Sequence, residues 1–298
     1  MIKAVIAGYG NIGKAAFKAL SAADGFEICA VISAYADAVK FPELEKIHIA
    51  KDLSGLKSKP DVALLCGPSR SIPETAEKYL RSSINTVDSY DIHGNIAAVR
   101  ASIDKTAKEA GKVSVLSAGW DPGLDSVIRA FMEASAPKGI TYTDFGPGMS
   151  MGHSVAAKAV KGVKEALSMT VPLGSSVHRR IVYVEIEDGY DFEDIAKKIK
   201  SDQYFAKDET HVIRTDNIDA LKDTGHAAHI IRKGVSGETH NQIFEFNMKI
   251  NNPALTGQIL VSAARASMKQ KPGCYTMIEI PAIDFLCGEK EKLIERLV

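Results

Sequence analysis

Apolar residues run almost without interruption from Ile2 to Ala7, then the pattern breaks at Gly8-Tyr9-Gly10-Asn11-Ile12-Gly13 before Ala-rich sequence with helical spacing begins at Lys14. An unbroken apolar run followed by a glycine turn and a helix predicts a βα unit whose strand is buried on both faces. The same alternation recurs. Apolar runs predict strands at Glu27–Ser33, Asp61–Cys66 and Val113–Ala118, with a further short strand at Asn85–Asp88, separated by helices ending near Gly25 and spanning about Pro73–Ser83 and Asn95–Gly111. Repeated βα units of this length predict an α/β fold with a Rossmann-like, doubly wound parallel sheet and right-handed crossovers. Ligands of such sheets bind at the carboxyl ends of the strands, where Asp88, Asp91, Ser117 and Trp120 fall.

The pattern changes at Gly119-Trp120-Asp121-Pro122-Gly123. A helix is predicted over Leu124–Ala136, a strand over Ile140–Phe145, a loop over Gly146–His153 and a helix from there through Met169. Strands follow at Arg179–Glu187, His211–Thr215, Ala227–Lys233 and Gln242–Ile250. Long strands with polar alternation and few helices between them predict a mixed or antiparallel sheet exposed on one face. Helices at about Pro253–Lys271 and Glu289–Leu297 are expected to return to the first domain. The expected organisation is a dinucleotide-binding domain, 1–119 completed by about 252–298, and an α+β substrate-binding and dimerisation domain, 120–251, with a mixed sheet.

A chain of 298 residues is too long for one comfortable core, which agrees with two domains. Thirty-seven basic residues balance thirty-seven acidic ones, so no global field draws nucleic acid or an anionic membrane, and both are excluded as partners. No apolar run reaches the length of a membrane span, and the opening run, interrupted by Gly8, reads as a strand and not a signal peptide. Cys29, Cys66, Cys274 and Cys287 lack CxxC spacing and are expected to be free thiols in a reducing cytoplasm. None of the eight histidines forms HExxH or a Cys/His zinc pair, and no GxSxG elbow occurs, so neither a metal nor covalent catalysis is expected.

The glycine turn is the strongest chemical feature. Gly8 permits the tight turn, Gly10 lets the backbone approach a pyrophosphate, and Gly13 lets the helix pack closely. Free N–H groups at the helix start then face the anion. At the end of the second strand, Ser33 stands where a carboxylate would select NAD. Its absence favours NADP, with Ser33 and Lys40 as candidate partners of the 2′-phosphate, although no Arg follows and NAD stays open. The turn Gly67-Pro68-Ser69 falls on the nicotinamide side. Asp91 and Asp121 suit an ammonium group, Arg180 suits a carboxylate, and Thr170, His226 and Asn252 are further donors. Each also has a plainer role: Asp121 precedes Pro122 in a turn, Arg180 begins a strand, and His226 packs. Together they fit a zwitterionic amino acid beside a nicotinamide.

Five blocks, in order and across essentially the whole chain, resemble the meso-diaminopimelate dehydrogenase family. They are Gly8-Tyr9-Gly10-Asn11, Val87-Asp88-Ser89-Tyr90-Asp91, Gly119-Trp120-Asp121-Pro122-Gly123, Phe145 to Ser154, and Asn251-Asn252-Pro253. Ser89–Gly94 and Lys271–Pro281 look most like its subgroup with a compact substrate domain and relaxed D-amino acid specificity. The resemblance implies a cytoplasmic homodimer of lysine and diaminopimelate metabolism that uses NADP. Its reaction is reversible oxidative deamination at the D-centre of meso-2,6-diaminopimelate, giving L-2-amino-6-oxopimelate and ammonia. It implies that Asp91 and Asp121 contact the reacting amino group, and that Trp120, Met151 and Gly152 shape the pocket around the D-centre. Phe145, Thr170, Arg180, His226 and Asn252 match positions that hold the rest of the substrate. Gly8, Gly10, Asn11, Ile12, Gly13, Ser33, Cys66, Gly67, Pro68, Ser69, Asp88, Ser89 and Tyr90 are the expected cofactor residues. Two positions depart from the family pattern: the usual basic residue is missing at Ala34-Tyr35, and Asn95 replaces a frequent Asp. The alternatives are a nicotinamide-dependent dehydrogenase of another D-amino acid or diamine acid, and a dinucleotide-binding sensor without turnover.

Overall fold

The opening apolar run becomes strand β1 (Ile2–Ala7), whose last four residues are buried. In the computed structural model, which describes residues 1–34, 41–221, 225–238 and 240–298, two units separate: Met1–Val127 with Pro253–Val298, and Ile128–Asn252. The first continues with α1 (Asn11–Ser21), β2 (Phe26–Ile32), β3 (Ile49–Ala50), β4 (Val62–Leu65), α2 (Ile72–Arg81), β5 (Asn85–Asp88), α3 (Ile96–Glu109), β6 (Val113–Val115) and the start of α4 (Leu124–Ser135). The unit boundary lies after Val127, beyond the expected Gly119, because Gly119-Trp120-Asp121-Pro122-Gly123 folds back on itself through a Gly119–Gly123 bridge.

The second unit holds β7 (Lys138–Phe145), β8 (Gly148–Ser150), α5 (Met151–Lys158), β9 (Val163–Gly174), β10 (Val177–Ile186), α6 (Phe192–Ser201), β11 (Glu209–Arg214), β12 (His226–Ser236) and β13 (His240–Ile250). It contains two sheets where one was expected: a mixed one ordered β11-β10-β9-β8 and an antiparallel one ordered β13-β12-β7. The helix expected to reach Met169 ends at Lys158. Gly162, at φ +93°, turns the chain into β9, and ten residues of β10 pair with it. Helix-forming residues such as Lys164, Glu165 and Ala166 are thus carried into a strand by pairing and by the burial of Val163, Ala166 and Leu167. Val182 and Val184 of β10 meet Ile195 and Ile199 of α6 in this unit's core.

The chain returns to the first unit through α7 (Asn252–Ser267), β14 (Gly273–Tyr275) and α8 (Lys290–Leu297). Gly257 of α7 lies so close to α1 that a Cβ there would stand 2.7 Å from the Ala15 carbonyl carbon. The short strand β14, unforeseen from sequence, pairs with β6 and completes a seven-stranded sheet ordered β14-β6-β5-β4-β1-β2-β3. All its recorded pairings are parallel, the Rossmann arrangement. Strand order reverses beside β1, so the glycine turn lies at the switch point where such sheets bind their ligands.

Candidate active site

Three glycines of the first turn carry different constraints. Gly8 adopts φ +97°, and a Cβ there would lie 3.0 Å from the Cys66 carbonyl group. At Gly13 a Cβ would stand 2.1 Å from the Gly8 carbonyl oxygen, an impossible contact. Gly10 has ordinary extended backbone (φ −80°, ψ −160°), and a Cβ on it would meet nothing within 4 Å. Protein packing therefore explains Gly8 and Gly13 but not Gly10. Gly10 caps α1 without a side-chain hydrogen bond, so the N–H groups of Asn11, Ile12 and Gly13 open the helix beneath free space, a cradle fitting a pyrophosphate. Gly10→Ala is expected to leave the urea midpoint within about 0.5 M while weakening dinucleotide binding about tenfold or more in titration calorimetry. Unchanged binding would free Gly10 of a ligand role.

Other expected cofactor residues line the ends of β2, β4 and β5. Ser33 is buried, and its N–H donates to Ala50 O at 3.0 Å. Lys40 and Tyr35, the other positions considered for the 2′ group, lie outside the described residues. Ser69 Oγ accepts the Asp91 N–H at 3.3 Å, joining the β4 and β5 turns.

Asp88 has no exposed surface; its Oδ1 accepts the Tyr90 N–H at 2.9 Å and the Ser117 N–H at 3.1 Å. Its main-chain oxygen accepts the Ala118 N–H at 2.6 Å, so this expected cofactor residue faces inward and clips the turns after β5 and β6 together. Burial outweighs those two N–H bonds and pushes its carboxyl up to about 7, and burial with the nearby Asp88 charge pushes the Cys66 and Cys274 thiols up to about 12. Neither thiol is a nucleophile at neutral pH.

Asp88 also sets a pH dependence. A carboxyl raised from 3.8 to about 7 stabilises the fold fully below the unfolded value, and that contribution is lost as pH rises through 7. Asp88→Asn keeps an acceptor oxygen and removes the titration. Its unfolding free energy relative to the parent should therefore improve by about 2–3 kcal/mol between pH 5 and 8 in urea denaturation. A flat difference would show that Asp88 keeps an ordinary pKa.

The turn after β6 presents Trp120 and Asp121. Gly119 N–H donates to Pro122 O and Leu124 N–H to Gly119 O, each at 3.0 Å. Gly123, at φ +143°, approaches Gly119 where any Cβ would collide at 2.1 Å. The turn is thereby rigid. Trp120 is buried, the Asp121 side chain is 13% exposed, and Asp121 Oδ2 stands 3.9 Å from Nε2 of the exposed His93. Asp91, Trp120 and Asp121 thus belong to one unit and to the turns after adjacent strands.

A second cluster belongs to the other unit. Arg180 lies within β10, opposite Thr170 of β9, not at the strand's beginning. Its Nη1 donates to Thr170 Oγ1 and its Nε to Asp208 Oδ2 at 2.6 Å. His178 Nε2 accepts the Phe145 N–H at 2.7 Å, and the two rings lie 5.4 Å apart. Burial, then the Arg180 charge, lowers His178 and brings buried His226 down to about 4, so both are neutral beside one permanent cation. Met151 and Gly152 begin α5 directly after β8, whose Gly148 pairs with Thr170. Asn252 begins α7, two residues after Ile250, the partner of His226. Sequence reasoning missed His178 and Asp208. Two-residue spacing from Arg180 would have placed His178 on the same strand face, whereas Asp208 carries no local signal.

Known proteins match this arrangement along its length. The profile of the diaminopimelic acid dehydrogenase C-terminal domain matches residues 119–179, and that of an oxidoreductase family with an NAD-binding Rossmann fold matches residues 2–116. The meso-diaminopimelate D-dehydrogenase of Bacteroides fragilis is 57% identical, covering 100% of this chain and 99% of its own. That of Lysinibacillus sphaericus is 34% identical over 94% of each. Among solved structures, C. glutamicum DAP dehydrogenase in complex with DAP has a TM-score of 0.89 at 28% identity, covering 100% of this chain and 99% of its own. An engineered D-amino acid dehydrogenase bound to NADP+ has the same TM-score at 27% identity, with the same coverage. Full-length identity at this level, on a Rossmann sheet carrying both aspartates, shows that the chain belongs to the meso-diaminopimelate D-dehydrogenase family.

Proposed function

We propose that this chain is an NADP-dependent oxidoreductase that reversibly deaminates the D-centre of meso-2,6-diaminopimelate: two electrons and a proton pass as hydride to NADP+, and water hydrolyses the resulting imine to L-2-amino-6-oxopimelate and ammonia. The observation that carries this is the full-length 57% identity to a meso-diaminopimelate D-dehydrogenase. Gly8, Gly10 to Gly13, Ser33, Cys66 to Ser69, Ser89 and Tyr90 would hold the dinucleotide, which would accept a hydride from the D-carbon. Hydride can leave that carbon only when nitrogen donates its lone pair, so the ammonium must first lose a proton. Asp91 and Asp121 bind and orient it, and a carboxylate oxygen takes the proton. By correspondence with the family, Trp120, Met151 and Gly152 are the residues assigned to the reacting centre.

Arg180, Thr170, Phe145, His226 and Asn252 hold the far amino acid end. Neutral His178 and His226 support this assignment: they supply hydrogen bonds without adding positive charge beside Arg180. The enzyme works in the cytoplasm, in keeping with four unpaired cysteines, and as a homodimer, in keeping with Ile140 and Ile243 exposed on strands of the antiparallel sheet. The direct test is ammonia-dependent oxidation of NADPH and NADH, side by side, with 2-amino-6-oxopimelate. Oxidation of NADPH in preference to NADH is expected; no ammonia-dependent oxidation of either would refute the activity.

A further inference from the structure

We infer that Asp208 is a positioning residue: it fixes the plane of the Arg180 guanidinium and through it the enzyme's grip on the substrate carboxylate far from the reacting centre. The inference rests on the proposed role of Arg180.

A guanidinium has five N–H donors in one plane, and two separated hydrogen bonds suffice to fix that plane. Here Nε donates to Asp208 Oδ2 at 2.6 Å, and Nη1 donates to Thr170 Oγ1. Both engaged donors have well-anchored partners. Thr170 is wholly buried and is the register partner of Arg180 across β9 and β10. The Asp208 N–H donates to Phe205 O at 3.0 Å, Thr210 Oγ1 donates to Asp208 O at 3.1 Å, and Phe205 is 1% exposed within the unit's core. Thr210 in turn is the register partner of Arg180 across β10 and β11. The aspartate is therefore a fixed point.

Among the described residues no partner takes the Nη2 donors of Arg180. With Nε engaged by Asp208, the Nη1–Nη2 edge is the one left to fork onto a carboxylate. The Arg180 side chain is only 11% exposed and that of Asp208 24%, so water screens the pair weakly. Without Asp208, a long side chain carrying a largely buried charge would lose one of its two tethers. The substrate would then have to order it on binding, which weakens affinity. Because this end of the substrate does not react, the loss falls on KM and not on kcat.

Kinetics of Asp208→Ala, Asp208→Asn, Arg180→Ala and Arg180→Ala/Asp208→Ala, checked for folding by circular dichroism, test the inference. Asp208→Ala is expected to raise KM for meso-diaminopimelate about tenfold, with kcat and the NADP KM within about twofold. Asp208→Asn, whose amide oxygen still accepts from Nε, is expected to recover most of that loss. In the Arg180→Ala background, Asp208→Ala should add less than about twofold, because its effect passes through the missing guanidinium. A full further tenfold there, or an unchanged KM in Asp208→Ala while Arg180→Ala is impaired, overturns the role of Asp208. If Asp208→Ala does not fold, an Asp208→Asn KM raised as far as that of Arg180→Ala overturns it too. An unimpaired Arg180→Ala overturns the reading of Arg180 itself, a different failure.

Discussion

Asp121→Asn is expected to lower kcat for oxidative deamination by about 10²–10⁴-fold while dinucleotide affinity stays unchanged. The substitution preserves shape. The main chain of the turn is closed by the Gly119 N–H to Pro122 O and Leu124 N–H to Gly119 O hydrogen bonds, and an isosteric Asn leaves both in place. What disappears, on the proposed role, is the charge that binds the ammonium and the oxygen that accepts its proton. An amide does neither, and the protonated nitrogen cannot expel hydride. The Asp121 carboxylate is largely buried in the first unit, where its electrostatic effect exceeds that of a solvated group. Single-turnover formation of NADPH isolates this step from product release, and a rate near that of the parent would remove Asp121 from the chemistry.

Arg180→Ala is expected to cost roughly 2–5 kcal/mol in kcat/KM for meso-diaminopimelate, several decades in rate. The structure strengthens this expectation over the sequence alone, which left a solvated strand end open. A side chain only 11% exposed is not a solvated strand end, and its removal strands Asp208 and Thr170 and, on the proposed role, the substrate carboxylate. A D-amino acid lacking the second carboxylate provides the control. With that substrate the variant should lose less than about 1 kcal/mol. Equal losses for both substrates would mean that Arg180 maintains the protein and does not recognise its ligand.

The first unit was legible because its periodicity is strong and local. Nearly continuous apolar runs became β1 and β4, and the glycine turn could be interpreted from its place between a strand and a helix. The second unit was less legible. Residues 163–169 have helix-forming side chains, yet long-range pairing with β10 makes them a strand. β14 is three residues long, too short for a pattern. Asp91, Asp121 and Arg180 were singled out by charge type and motif. The inward turn of the Asp88 carboxylate was not, since whether an aspartate serves a ligand or two backbone N–H groups depends on its rotamer and on Ser117, far along the chain. Asp208 escaped for the same reason: it reaches Arg180 across 28 positions of sequence.

The seven-stranded sheet carries a consequence for biosynthesis. Its outermost strand next to β6 is contributed by Gly273–Tyr275, after the entire Ile128–Asn252 unit has been translated. Until then the nascent polypeptide presents Val113 and Val115 as a raw margin, and Asn85, whose side-chain amide donates to Met268 Sδ, awaits residues not yet made. A ribosome stalled before residue 273 would therefore display an aggregation-prone border.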